Sequence, residues 1–189
     1  VKFTVEHPLG RPGCAEELYR PDGLARWAAA VDALDYEAVA FTEHPAPSAK
    51  WLATGGHRTL DPLAALAFCA AVTRRVRLLT YLLVLPYHPP LVVAKTIATV
   101  DRLSDGRLTV GVGGGYLRSE SGAVGASFDD RGARLDEALD VLRALWTADT
   151  YSVEGAGFTA REVVSQPGPV QLPHPPLWIG GSGRNARRR

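Results

Sequence analysis

Cysteine is scarce in this chain, with only Cys14 and Cys69 among 189 residues. Cys69 falls within an Ala/Leu-rich helical stretch, where a free thiol behaves as a small hydrophobe, so a reduced, cytoplasmic setting is expected. Neither sign of charge is in excess: 21 Lys and Arg face 20 Asp and Glu, for a net charge of +1. That balance leaves no broad electrostatic footprint for nucleic acid, and Arg184, Arg187, Arg188 and Arg189 read as a solvated helix face. No apolar run approaches the ~20 residues that a membrane-spanning helix needs. The segment from Val1 to Val5 leads into polar, Pro- and Gly-rich sequence rather than into the apolar core of a signal peptide. What is present, 46% hydrophobic and 22% charged residues, is a globular composition. A domain of this length buries roughly 70% of its unfolded surface.

Short β-type runs alternate with longer helical ones. Val1, Phe3 and Val5 alternate as a strand, and a helix over about Asp22 to Leu34 follows. A second strand, Ala38 to Thr42, opens into a long loop, after which Asp61-Pro62 supplies an N-cap and an N1 proline for a helix reaching Thr73. Val76 to Leu85 is almost wholly apolar, as in a parallel strand buried on both faces. The spacing of Val93, Ile97, Val100 and Leu103 predicts a helix over Leu91 to Leu103, stopped by Asp105-Gly106 before a fourth strand at Leu108 to Val112. Leu135, Leu139, Leu142 and Trp146 mark one face of a helix over Arg131 to Trp146. Between positions 150 and 176 the rhythm breaks: Tyr151 to Val153 and Phe158 to Val164 flank a Glu154-Gly155-Ala156-Gly157 turn, and a proline-rich connector follows. Leu177 to Ile179 reads as the fifth strand of the series, with a helix starting near Asn185.

Five βα steps with right-handed crossovers fit either an open doubly wound sheet or a β/α barrel. A complete barrel typically needs ~250 residues, so on the barrel reading strands six to eight lie outside these 189 residues. The whole is then one domain over 1–189, truncated at its C-terminus, with an insertion at 150–176.

Several motifs can be tested by their spacing. Gly111-Val112-Gly113-Gly114-Gly115-Tyr116 follows a strand, yet neither frame gives the third glycine of a dinucleotide fingerprint, and no phosphate-binding P-loop occurs. Glycines at a strand's C-terminal end still let backbone N–H groups approach a flat ring or an anion, or simply make a tight turn. Gly180-Gly181-Ser182-Gly183-Arg184 fails as a nucleophile elbow at its last position. The histidines His7, His44, His57, His88 and His174 show no ligand pair, so no metal is assigned. Glu43-His44 sits at the strand-two exit, the rim where barrel enzymes place their chemistry, and histidine exchanges protons near neutral pH. Glu43 could orient that imidazole or cap the loop.

Four blocks taken together go beyond periodicity. Phe41-Thr42-Glu43-His44-Pro45-Ala46-Pro47-Ser48-Ala49-Lys50-Trp51 resembles the strand-two exit of luciferase-like oxidoreductases. Leu78-Leu79-Thr80 through Val84-Leu85-Pro86-Tyr87, with Pro90 and Ala94-Lys95, resembles that family's third strand and helix. Leu103 to Leu108 with Gly111 to Gly115 resembles its fourth, and Pro175-Pro176-Leu177-Trp178-Ile179-Gly180-Gly181 its fifth. The blocks keep order and spacing from about residue 36 to 183.

The resemblance implies an α/β fold, the N-terminal portion (about five βα units) of a TIM (β/α)8 barrel of the luciferase-like kind. Pro45 to Trp51 and Gly115 to Glu120 look closest to the subgroup that uses the deazaflavin coenzyme F420. The implied activity is hydride transfer between F420 and a small organic substrate, with the ring in the barrel mouth. FMN-dependent monooxygenation is the alternative, and a non-catalytic barrel remnant a third reading. The resemblance makes His44 the active-site histidine, as acid/base or substrate-orienting donor, with Glu43 beside it where related deazaflavin enzymes often carry aspartate. Thr80, Tyr81, Leu82, Gly113, Gly114, Gly115 and Tyr116 are the implied cofactor contacts, Tyr116 standing where some relatives carry a proton-donating glutamate. Relatives commonly have a non-prolyl cis peptide at the bond matching Tyr81-Leu82, and often form homodimers.

Overall fold

The computed structural model describes residues 1–8, 16–181 and 183–188. Cys14, Ser182 and Arg189, with the side chains of Arg184 and Asn185, lie outside the described residues. The elements are β1 (Thr4–Glu6), α1 (Pro21–Ala33), β2 (Ala38–Phe41), α2 (Ala49–Ala53), α3 (Pro62–Val72), β3 (Arg77–Val84), α4 (Pro90–Leu103), β4 (Leu108–Gly113), α5 (Arg118–Ala123), α6 (Arg131–Thr147), β5 (Tyr151–Gly155), β6 (Phe158–Val163), β7 (Leu177–Ile179) and α7 (Arg184–Arg188). The helices start where the sequence supplies a start signal. Asp61 accepts the Ala64 N–H at 2.8 Å ahead of Pro62, and α1 and α4 each open on a proline, whose missing N–H costs nothing there.

Five strands pair in parallel in the spatial order β1-β2-β3-β4-β7, the order of the chain. No strand order reverses, so the sheet has the sequential winding of a β/α barrel and not the switch point of a doubly wound sheet. Alternation sends β-strand side chains to two faces. One face packs Val39, Leu78, Leu108, Val110 and Val112 against Leu24 and Ala28 of α1, Leu66 and Cys69 of α3, Ile97 of α4 and Leu142 of α6, all buried. Burial pushes the Cys69 thiol up to about 12, so it is a packing group. The other face carries small residues, Ala38 and Ala40 beside Leu79, with Gly111 in the next strand. At the exit of β1 the His7 ring stacks on Phe41 (4.9 Å between centroids) and meets the edge of Trp27 (4.6 Å).

The structure departs from the sequence expectations locally. The first strand is only Thr4–Glu6: Val1 and Phe3 are exposed, and Phe3 keeps a single ladder-like bond, its carbonyl accepting the Glu37 N–H at 2.9 Å. Two short helices, α2 and α5, occupy segments that read as loops; both are too short to show a helical period. In β3 the register against β4 shifts between Thr80 and Leu83, and the Tyr81–Leu82 peptide is cis.

Residues 151–163 form an antiparallel hairpin, β5 with β6, whose Tyr151, Phe158 and Val163 pack on the main core. The connector behind it is fixed by α4. Lys95 Nζ reaches the Gln166 carbonyl at 2.5 Å and Arg102 Nε the Gly168 carbonyl at 2.6 Å. The fully buried Asp101 accepts from Val170 N, Gln171 N and Gln171 Nε2 at 2.7, 3.0 and 2.7 Å. These contacts hand the chain to β7 beside β4. Among the described residues no helix is long and apolar enough to cross a membrane.

Candidate active site

The four-residue strand β2 is fully buried and delivers Glu43 and His44 to the C-terminal rim of the sheet. His44 is held from several sides. Its backbone N–H donates to Thr59 Oγ1 at 3.2 Å, and its ring lies 4.6 Å from that of Trp51 and 4.8 Å from that of His57. Trp51 is set there by α2, whose N-cap Ser48 accepts the Trp51 N–H at 3.2 Å, and by Gly56, where an added Cβ would stand 2.3 Å from the indole.

The His44 imidazole bridges two groups. Nδ1 lies 3.0 Å from Glu120 Oε2, and the Tyr116 hydroxyl lies 3.3 Å from Nε2. A carboxylate only accepts, so beside ionised Glu120 Nδ1 carries the hydrogen, and in the neutral imidazole Nε2 then offers its lone pair to the phenol. Glu120 is 1% exposed and is compensated by further donors: Ala46 N–H at 3.2 Å on Oε1 and the Tyr87 hydroxyl at 3.5 Å on Oε2. Burial and the Glu120 charge raise the Tyr116 phenol, which keeps it a proton-bearing donor. Burial and the neighbouring His44 lower His57.

Glu43 does not touch His44 in the manner of an orienting carboxylate. It turns to the other side, where Oε2 accepts the Val84 N–H at 2.5 Å and Oε1 pairs with His88 Nε2 at 2.8 Å. Burial lowers His88, but the hydrogen bond and charge of Glu43 outweigh it and leave the imidazole raised. The orienting role falls to Glu120.

The glycines beyond β4 serve packing as much as openness. A Cβ on Gly113 would stand 2.7 Å from Leu82 Cδ1, and one on Gly180 would stand 2.2 Å from Leu82 Cδ2, so the Leu82 side chain occupies the hollow both leave. Gly115 has φ +77° and turns the chain so that Tyr116 comes back over His44; a Cβ there would meet Val84 Cγ1 at 2.8 Å. Gly114 has nothing within 3.8 Å of an added Cβ. Thr80 differs from the other expected contacts: it is fully buried, its hydroxyl donates to the Gly111 carbonyl at 2.7 Å, and it does not line the cleft. The bulge sends Tyr81, 60% exposed, to the cleft instead.

His44, Glu43, Tyr81, Leu82, Gly113, Gly114, Gly115 and Tyr116 line one open cleft of about 490 Å³, together with Glu6, His57, Val84, Tyr87, Glu120, Gly180 and Gly181. That volume lies in the ~300–1,000 Å³ range of small-molecule sites. Apolar Leu82 and Val84 beside side-chain-free Gly114 suit the face of a flat ring, with the His44 pair at its edge. Glu120, Tyr87, His57, Trp51 and His88 were not singled out by spacing. Glu120 and Tyr87 stand within the quoted blocks, but the signal for Glu120, a lone acid in a six-residue helix, is too short to read. His57 and His88 are 13 and 44 positions from His44, and only the fold brings the first to its ring and the second to Glu43.

Comparison with known proteins bears on the family and the fold. The family model described as luciferase-like monooxygenase matches residues 3–189. The F420-dependent glucose-6-phosphate dehydrogenase of Beutenbergia cavernae is 34% identical over 185 residues, covering 95% of this chain and 52% of that protein. The FMNH2-dependent dimethylsulfone monooxygenase of Pseudomonas putida is 34% identical over 120 residues, 62% of this chain and 33% of its own length. Among solved structures, monooxygenase RslO1 of Streptomyces bottropensis superposes with a TM-score of 0.83 at 32% identity, covering 95% of this chain and 53% of that one. The chain thus spans about a third to a half of the length of these relatives.

Proposed function

The chain belongs to the luciferase-like monooxygenase family, and on that footing we propose that it forms the acid/base half of an oxidoreductase site that transfers hydride between coenzyme F420 and a small organic substrate. The observation that carries this reading is the buried Glu120–His44 pair, with the exposed Tyr116 hydroxyl on Nε2, opening on the cleft. A bound deazaflavin ring supplies a carbon that gives or takes a hydride. Leu82, Val84, Tyr81 and the Gly113–Gly115 run would hold that ring. His44 Nε2 takes the hydroxyl proton of an alcohol, or returns it to a carbonyl oxygen, while Glu120 fixes the tautomer and stabilises the imidazolium that forms. Tyr116 holds the Nε2 lone pair directed at the cleft until substrate replaces it, and Trp51 with His57 walls the ring from solvent on its other side.

F420 is favoured because the F420-dependent relative aligns along 95% of the chain. A reduced FMN passing electrons to oxygen is the second reading, supported by the FMNH2-dependent relative. The natural protein containing this chain should bind F420 with a shift of its visible absorbance band. His44→Ala should lower turnover by about 10²–10⁴-fold while cofactor affinity stays within about tenfold. Unchanged turnover in the variant would remove His44 from the reaction, and saturable binding of FMN with no response to F420 would select the second reading.

A further inference from the structure

Behind the turn between β3 and α4 lies a second cavity of about 370 Å³, whose lining includes Tyr87, His88, Arg134 and Phe158. Tyr87 lines both this cavity and the cleft. The wall between the two is crossed by one ionisable pair. Glu43 lines the cleft, His88 lines the second cavity, and Oε1 and Nε2 are 2.8 Å apart. The Glu43 side chain is 3% exposed and that of His88 26%, so the pair runs from a buried end to a wetted one.

We propose that Glu43 and His88 form a proton path through this wall, joining the cleft to the solvent of the second cavity. The proposal rests on the hydride-transfer reading, since a carbonyl that gains a hydride gains one proton at oxygen and an alcohol that loses a hydride releases one. In the reductive direction the His88 Nε2–H bond breaks as a Glu43 O–H bond forms. That O–H bond then breaks as the proton passes, through water in the cleft, to His44 Nε2, which has given its own proton to the substrate oxygen. Neutral His88 turns into the second cavity and takes one proton from hydronium or a buffer acid there, leaving water or the conjugate base. One proton enters, one leaves, and no electrons move through the pair; oxidation runs the same steps backwards. The surroundings favour loading. The Val84 N–H holds Oε2 so that Oε1 faces His88, and the Asp61 carboxylate adds to the attraction for an imidazolium; Arg134, which also lines the second cavity, is paired with Asp130 at 3.0 Å. With a separate path for protons, the mouth of the cleft can stay filled by substrate during the transfer.

The test uses the natural protein loaded with F420, at low buffer concentration. His88→Ala should slow steady-state turnover by about tenfold or more, and added imidazole should restore it saturably. Glu43→Gln should be slowed without such rescue, because the cleft end of the path is gone. In the cofactor-free protein, the His88 ring should titrate by NMR above its ordinary value and fall in Glu43→Gln. Wild-type turnover in His88→Ala, a loss that imidazole does not restore, or a His88 titration indifferent to Glu43→Gln would each overturn the path while leaving the functional reading in place. A wild type that transfers no hydride would overturn that reading and the path with it.

Discussion

His7→Phe isolates one electrostatic burden of the fold. The His7 ring is 5% exposed, stacked on Phe41 and edge-on to Trp27, and neither ring nitrogen has a hydrogen-bond partner among the described residues. Burial therefore pushes its pKa down from 6.5 to about 4. A histidine lowered in the native state is protonated first in the unfolded one, so its stability contribution is complete above pH 6.5 and is lost as pH falls towards 4. At about 1.4 kcal/mol per unit the loss approaches ~3 kcal/mol in acid, with ~2 kcal/mol of it gone by about pH 5. Phenylalanine keeps the stacked ring and has nothing to protonate. Urea unfolding at about pH 7.5 and pH 5 should show the wild type losing ~2 kcal/mol more than His7→Phe between the two conditions. The His88–Glu43 pair has the opposite sign, present below pH 6.5 and lost as pH rises through the raised His88 value, but it is common to both proteins and cancels in the difference. Equal losses in wild type and variant would refute the argument.

Gly111→Ala brings a Cβ 2.2 Å from the Thr80 carbonyl oxygen, a backbone atom, whereas Gly113→Ala meets only the end of Leu82. Thermal unfolding should therefore show Gly111→Ala costing about 3 kcal/mol or more and Gly113→Ala much less; equal costs would contradict the contact geometry. Asp101→Ala leaves the Val170 and Gln171 amides without an acceptor and takes one of two from Gln171 Nε2, which keeps the Leu108 carbonyl, a loss on the order of 3 kcal/mol, and hydrogen exchange at the two amides should quicken before that of the sheet. Glu120→Ala removes the partner that fixes the His44 tautomer; ring ¹⁵N shifts should then show Nδ1–H no longer dominant, at unchanged fold.

The helices that carry the barrel's outer layer were legible from their repeating stripes: Leu135, Leu139, Leu142 and Trp146 are buried, as are Val93, Ile97 and Val100, while Leu103, the last of its expected stripe, is 62% exposed at the helix end. The parallel order was not legible from period alone, since alternation says nothing about which strand lies next. In the site, His44 and Tyr116 could be nominated, but their link could not, because it depends on a turn set by the positive φ of Gly115. Of the two roles the sequence leaves open for Glu43, orienting the imidazole is the one its contacts do not support. Adjacent residues on an extended segment point to opposite sides, so the neighbour in sequence serves a different partner and the histidine's carboxylate comes from 76 positions away.

Leu82 belongs to β3, yet the hollow that receives it is cut from the exits of β4 and β7, at Gly113 and Gly180. Three positions spread over nearly a hundred residues therefore vary as one unit. A side chain at 113 or 180 would displace the leucine and reshape the cleft, while a small residue at 82 would release both glycines from the leucine. A change of ligand in this scaffold has an inexpensive beginning at position 82, after which side chains larger than a methyl at 113 meet less resistance, while position 180 still faces the Val112 carbonyl oxygen at 3.3 Å.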